Sequence, residues 1–258
     1  DSFEPLENNY LIFSTRLNSS IYSTDIHITN IFKGNYTKLC APSQNDLIPY
    51  IYSVLDTVIH DINEGNQEGF HALMVILSEF QKDRNNPESI YLIFYLKFCA
   101  LRFKGEEDFH KRFIQSWINY LNSTKFFQKR ADFFSIWFLL ELLVKSILIE
   151  KDSVEYDKLL SLTSKISSYL PLFRDSRQSI GASINKHLCY FYKDLFEFVD
   201  HEFVCKMLQN HIVHLDLNET KNLFDRECFR DIMQTFISPK VFLYLIAPLS
   251  DETDSLFT

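Results

Sequence analysis

Glycine and proline are scarce in this sequence, with 5 Gly and 7 Pro among 258 residues. This scarcity argues against a turn-rich β-sandwich and against a nucleotide-binding fold that depends on glycine-rich loops. The phosphate-binding patterns GxGxxG and GxxxxGK[ST] and the nucleophile pattern GxSxG do not occur. The composition therefore offers no familiar motif for nucleotide or acyl-transfer chemistry.

Paired cysteines and basic runs are lacking as well. The five cysteines never form a CxxC pattern, and none has a basic neighbour at a telling spacing: Cys40, Cys99, Cys189, Cys205 and Cys228. They predict buried, reduced thiols of a cytoplasmic protein rather than nucleophiles. The net charge is −8 and no basic run exceeds Lys129-Arg130, which argues against a nucleic-acid or anionic-membrane surface.

The first residues, DSFEPLENNY, have neither a basic start nor an apolar core, so no signal peptide is predicted. The chain begins without Met and stops without an obvious cap. We therefore expect it to be a piece of a longer protein.

The longest apolar stretch, Ala131–Glu150, predicts the central buried helix of an all-helical domain, because it is apolar on most faces. Glu141 and Lys145 lie in its middle, and a charge at a bilayer centre costs about 2.5–3.5 kcal/mol on insertion scales, which argues against a membrane span. Four residues apart, the two can pair on one helix face. The pattern leaves open whether they face another helix or the surface.

Apolar spacings of three and four residues predict helices along most of the chain. The predicted spans, besides the central one, are 26–33, 47–62, 67–80, 87–103, 106–121, 155–170, 176–199, 201–215, 218–236 and 238–245. Asn9–Leu17 is the best strand candidate, and nothing nearby reads as its partner. No fixed-period repeat is visible, but helix pairs recur about every 40 residues, a length typical of armadillo or HEAT repeats. The prediction is an all-α, irregular α-solenoid of such pairs, with a globular helical bundle as the alternative.

Histidines and cysteine supply the only metal-like spacings. His211 and His214 are three residues apart, and His201 precedes Cys205 by four, so either pair can place two ligands on one metal. Neither has a third ligand at a recognisable spacing, and HExxH is absent. Ordinary surface or partly buried residues are the favoured interpretation, and no catalytic, cofactor-binding or metal residue is predicted. A helical metalloenzyme using His211, His214 and a carboxylate is the alternative from another class.

Three further clusters have structural interpretations. The carboxylates of 106–108 follow Gly105 and are typical of a helix start, where the macrodipole favours negative charge. The stripe Phe109, Phe113 and Trp117 indicates core rather than a ligand box. Phe126-Phe127, among Lys125, Lys129 and Arg130, indicates the entry of the central helix, with an exposed docking patch as the alternative.

Four segments carry a family resemblance. They are Tyr10–Lys33, YLIFSTRLNSSIYSTDIHITNIFK; Trp137–Ile147, WFLLELLVKSI; Ile184–Leu208, INKHLCYFYKDLFEFVDHEFVCKML; and Phe229–Pro248. In this order they resemble segments of the dedicator-of-cytokinesis (DOCK) family of atypical Rho-family guanine nucleotide exchange factors. The first is similar to the family's passage out of a C2-like lipid-binding domain, and Trp137–Ile147 to an aromatic-rich helix of one branch. The other branch, which works with ELMO-type partners, also fits Leu11–Lys33, so the subfamily stays open.

The resemblance implies a position within the parent protein. Residues 1–22 would be the tail of an upstream C2-like β domain or a linker, which accounts for the orphan strand. Residues 23–248 would form the armadillo-like helical domain, and 249–258 a polar tail or linker. The exchange residues would lie in a separate catalytic domain, so this chain is not expected to be an enzyme itself.

The implied role is a non-catalytic scaffold in an exchange factor for Rac-type Rho-family GTPases, acting in cytoskeletal and small-GTPase signalling. Implied partners are the other domains of the same protein, an ELMO-type regulator, and a Rho-family GTPase reached through the exchange domain. The membrane would be contacted only indirectly, through the C2-like domain, by a cytoplasmic protein recruited there. An unrelated armadillo- or HEAT-like adaptor module is the alternative.

Overall fold

The computed structural model describes residue 36 and residues 47–80, 89–102, 108–123, 136–150, 154–175, 178–217 and 222–236. These ranges contain nine α-helices and no β-strand. The helices are α1 Ile51–Asn63, α2 Gln67–Phe80, α3 Ser89–Arg102, α4 Phe109–Asn122, α5 Ile136–Ile149, α6 Tyr156–Ser167, α7 Gln178–Leu195, α8 His201–Val213 and α9 Leu223–Phe236. Two short 3-10 helices cover Ile48–Tyr50 and Leu170–Phe173. The all-α prediction is confirmed for these ranges.

Several predictions fall outside the described residues. They concern the strand Asn9–Leu17, the helices 26–33 and 238–245, the carboxylates Glu106 and Glu107, the cluster 125–130, and the domain limits at 22/23 and 248/249. These stay predictions.

The chain divides into two compact units, Asp1–Tyr95 and Leu96–Thr258, with the boundary inside α3. In the first unit α1 packs against α2. Gly65, at a φ of +90°, makes the turn between them, a backbone conformation that glycine adopts without strain. The apolar stripe of α1 is fully buried, and the Tyr95 hydroxyl donates to Asp56 Oδ1 at 2.9 Å.

In the second unit, alternate helices along the chain pack against each other. Helix α4 packs on α6 and α6 on α8, while α5 packs on α7 and α7 on α9. Contacts of α4 with α5 and of α7 with α8 join the two series. Each helix therefore stacks on the next but one, which forms two layers of alternate helices, as in an α-solenoid. The solenoid prediction is confirmed.

Helix α7 contacts α5, α8 and α9 and is the most central helix of this stack, whereas α5 packs against α4 and α7. Most side chains of α5 are buried, which confirms the burial predicted for the apolar stretch, and residues 131–135 lie outside the described ranges. Trp137 on α5, however, is only half-buried. The fully buried tryptophan is Trp117 on α4, at 1% exposure. The stripe Phe109, Phe113 and Trp117 is core, as predicted.

Helix ends show where the pattern succeeds and fails. Asp200 caps α8 as predicted, since its Oδ1 accepts from Phe203 N at 2.8 Å. The predicted helix 155–170 is too long, because α6 ends at Ser167 and Pro171 lies in the first turn of a new 3-10 helix, where a missing N–H costs nothing. Helix α4 starts at Phe109 rather than at residue 106, because Asp108 adopts a left-handed φ of 59° at the N-cap position.

Candidate functional site

A buried polar network lies where four helices of the second unit meet. His211 on α8 is at its centre and has no solvent exposure. Its Nε2 lies 2.9 Å from Asn185 Oδ1 on α7, and its Nδ1 lies 2.7 Å from Ser167 Oγ on α6. Asn185 in turn donates from Nδ2 to the Cys228 carbonyl of α9 at 3.1 Å. The network therefore ties both layers of the stack together.

The amide of Asn185 fixes the proton on His211. Because Nδ2 donates to a carbonyl, Oδ1 is the acceptor and His211 Nε2 must be the donor. In the neutral ring Nδ1 is an acceptor, and the single hydroxyl proton of Ser167 is shared between this nitrogen at 2.7 Å and the Thr163 carbonyl at 2.8 Å. Burial, reinforced by neighbouring His214, lowers the pKa of His211 to about 3, so the ring is neutral near pH 7.

An ion pair between a half-buried arginine and a buried aspartate lies beside this network. Arg174 Nε approaches Asp225 Oδ2 to 2.7 Å, and Asp225 is completely buried at the start of α9. The same oxygen accepts from Asp216 N at 2.9 Å and from Asn222 Nδ2 at 2.6 Å. Arg174 also donates to the His214 carbonyl at 3.2 Å. The pair thus anchors the connection between α8 and α9.

The metal-like spacings do not converge. Both ring nitrogens of His211 already have protein partners, and His214 lies just past the end of α8, at its C-cap. His201 Nε2 lies 3.0 Å from the Phe196 carbonyl, with its ring stacked on Phe196 at 4.3 Å. Within the described part of the chain, no group of three His, Cys, Asp or Glu side chains is placed to hold a metal ion. His211 therefore acts in the structure as a hydrogen-bonding core residue.

The predicted burial is confirmed for two of the cysteines and is wrong for a third. Cys189 and Cys228 are buried free thiols, and desolvation raises the pKa of each to about 12. Cys205 on α8 is a free thiol of intermediate exposure, so it is not the buried residue predicted, although desolvation still raises its pKa. Cys40 lies outside the described ranges, and so does the side chain of Cys99.

Glu141 and Lys145 face the contact between α5 and α7. Partial burial raises the pKa of Glu141, Asp194 on α7 raises it further, and Lys145 lowers it. Lys145 likewise lowers the pKa of Asp194 against the larger effect of its burial. Within the described ranges no direct ion pair joins Glu141 to Lys145. Both side chains are half-buried, so these charges lie at the edge of the contact between α5 and α7, where that contact meets the surface.

Beside these charges the α5 and α7 surface carries a small pocket of about 180 Å³. Trp137, Glu141, His187 and Tyr190 are among its lining residues. Tyr190 is 43% exposed, and Leu148 further along α5 is 47% exposed. This pocket and the neighbouring exposed side chains form the α5/α7 surface.

Sequence reasoning missed Asn185, Ser167, Arg174 and Asp225. A signal for Asn185 was present, because it lies four residues after Gly181 and four before Cys189, all on the buried side of α7. A polar side chain in a buried stripe requires a partner. The spacing could not name that partner, since His211 is 26 residues away.

The alternating layers and the buried network define an α-solenoid of helix pairs, a class of protein that presents extended helical surfaces. The helical part of the chain belongs, more narrowly, to one family: residues 44–227, well over half of the sequence, match the family model described as DOCK6-11, TPR domain. No curated protein and no solved structure matches the chain significantly.

Family membership supports the resemblance seen in the sequence. The family description narrows the open subfamily to members 6–11 and names the repeat as TPR rather than armadillo or HEAT. TPR units are helix–turn–helix pairs, which agrees with the alternating stack. Membership in this family also excludes the alternative that the chain is an unrelated armadillo- or HEAT-like adaptor module. Separately, none of the described helices is long and apolar enough to cross a membrane.

Proposed function

We propose that this chain is the non-catalytic helical scaffold of a DOCK-family guanine nucleotide exchange factor for Rac-type Rho-family GTPases. The family match over residues 44–227 carries the proposal. In this role the helices hold a lipid-binding C2-like domain and an exchange domain at a set geometry. The parent protein acts in cytoskeletal signalling from the cytoplasm and is recruited to membranes through the C2-like domain.

The architecture suits a spacer of fixed geometry. A stack in which each helix contacts the next but one has a defined length, unlike a flexible linker. The Asn185–His211 network adds directional hydrogen bonds between layers, and directional bonds restrict sliding more than apolar contacts do. These features support a scaffold that keeps the two flanking domains at a fixed distance and orientation.

The direct test uses the full-length protein with residues 44–227 replaced by a Gly/Ser linker. Nucleotide exchange on a Rac-type GTPase is measured in solution and with anionic vesicles that recruit the C2-like domain. A scaffold predicts unchanged exchange in solution and loss of the stimulation by vesicles. Loss of exchange in solution would place this segment in the catalytic machinery and refute a purely scaffolding role.

We also propose that the α5/α7 surface is the docking surface for a protein regulator of the parent exchange factor. Exposed Tyr190 and Leu148 lie there beside the pocket. Binding of the regulator should weaken in Leu148→Asp. The matched control is Val213→Asp on α8, where the side chain is 79% exposed. Equal binding of both variants would exclude this surface.

A further inference from the structure

The last helix pair carries a large groove. Helices α8 and α9 line a depression of about 800 Å³. Apolar side chains form most of it: Phe203, Leu208, Ile212, Ile232, Met233 and Phe236. Met233 is 37% exposed, and Phe203 and Ile212 are half-buried. Asp200, Glu202 and Lys206 supply the charges among its lining residues.

The position of the groove follows from the stacking rule. Helix α4 is followed in its layer by α6 and α6 by α8, whereas α8 is the last described helix of that layer. The next element along the chain would therefore stack on α8 and lie beside α9. The groove occupies this position.

The sequence that follows has matching chemistry. Residues 237–248 read ISPKVFLYLIAP, and six consecutive apolar residues run from Val241 to Ile246. Lys240 is the only charged residue between 237 and 250, and the carboxylates of Asp200 and Glu202 line the groove. Apolar content and charge thus both complement the surface of α8 and α9.

Chain connection favours this segment over any other occupant. Phe236, the last residue of α9, itself lines the groove, so α9 ends at the edge of the groove. From Asp200 to Ile212 the groove extends about 18 Å at 1.5 Å per residue, and the ten residues 239–248 would cover about 15 Å of it as a helix. A tethered segment acts at a high effective concentration, on the order of millimolar for a short connection.

We propose that residues 239–248 of this chain dock into the α8/α9 groove and complete the last layer of the stack. A second copy of the chain or a foreign helix is the competing occupant. The proposal is independent of the exchange-factor assignment, because it rests on the groove and on the sequence that follows it.

Cys205 provides a probe, since this partly exposed free thiol lines the groove. Leu245→Cys is introduced into the full 258-residue chain, which is treated with a short bismaleimide and mapped by peptide mass spectrometry. The expected product is an intrachain link between positions 205 and 245. Cys205→Ser should abolish it, and Ser255→Cys, in the polar tail, should give much less of it.

Either of two results overturns the proposal. An interchain link between positions 205 and 245 would assign the groove to a second copy. Absence of any link from position 245 to Cys205 would leave the groove for a foreign partner.

Limited trypsin digestion provides a second measurement that needs no new cysteine. Cleavage after Lys240 should be slow in the parent chain and several-fold faster in Met233→Asp, which places a charge in the groove. Val213→Asp is the control, because it places the same charge on an exposed face of α8. Equal cleavage rates in both variants would contradict docking, and circular dichroism verifies that both remain helical.

Discussion

Replacing Asn185 with leucine should destabilise the Leu96–Thr258 unit by about 2–4 kcal/mol. Asn185 and His211 are both without solvent exposure, so neither water nor a mobile side chain can take over their hydrogen bonds. Leucine has the same number and branching of side-chain heavy atoms as asparagine, so the change removes the polar partners while keeping the outline of the side chain.

The magnitude comes from two lost bonds. His211 Nε2–H is left without its acceptor, and an unsatisfied buried donor costs about 1–3 kcal/mol. The bond from Asn185 Nδ2 to the Cys228 carbonyl adds about 0.5–1.5 kcal/mol. In a unit of this size each kcal/mol lowers the melting temperature by about 2–4 °C, so thermal unfolding should shift by about 5–15 °C.

The assay is urea unfolding followed by circular dichroism, with Asn119→Leu as the matched control. Asn119 is exposed on α4 and its Oδ1 accepts only from Gln115 Nε2, at 3.1 Å. The same substitution there should change the free energy of unfolding by less than about 0.5 kcal/mol. A comparable loss in both variants would mean that the leucine side chain itself is responsible.

A double-mutant cycle gives the sharpest refutation. His211→Phe alone leaves Asn185 Oδ1 without its donor, whereas Asn185→Leu with His211→Phe removes both partners. The double variant should be more stable than the sum of the single losses predicts, by about 1 kcal/mol or more. Additive losses, or an Asn185→Leu variant as stable as the parent, would refute the network as a stabilising element.

Three other predictions follow from buried groups in the same unit. Gly181→Ala should destabilise the unit by about 1 kcal/mol, because the added Cβ would lie 2.5 Å from Phe224 Cζ. This loss outweighs the higher helix propensity of alanine. A variant that is more stable than the parent in urea unfolding would contradict the close approach. Since burial lowers the pKa of His211 from 6.5 to about 3, the unfolded chain binds one more proton between these pH values and stability falls as pH drops through that window. His211→Gln should therefore reduce the pH dependence of unfolding by about one proton, and an unchanged slope would contradict the buried neutral ring. A thiol reagent at pH 8, with labelled peptides mapped by mass spectrometry, should modify Cys205 well before Cys189, and equal rates would contradict the burial of Cys189.

Local sequence signals predicted the elements well. The span 67–80 coincides with α2, and the Asp200 cap begins α8 where expected. Both depend on interactions within four residues, namely an apolar period and a side chain bonding its own helix start. Predicted helix ends were wrong where the backbone changes from an α-helix to another conformation, as at the 3-10 helix that contains Pro171.

The buried network could not be predicted in the same way. Its bonds join residues 26 to 44 positions apart, and no periodic pattern reports such a distance. The spacing of His211 and His214 therefore suggested shared metal chemistry, although His211 bonds only to neighbouring helices. The half-exposed position of Trp137 could not be predicted either, because an almost uniformly apolar helix does not reveal which side lies at its surface.

The alternating stack also determines how the chain responds to mechanical load. In the second unit each described helix packs on the helix two positions away, so tension applied at the ends of this unit is borne one neighbouring contact at a time rather than by a single shared core. Helix pairs would then unravel from the ends inward, extending the chain in steps. The four-helix crossing at His211 bonds α6, α7, α8 and α9 together, so these helices would yield as one block. The block of α6 to α9 would therefore lengthen only when the force exceeds the strength of that crossing.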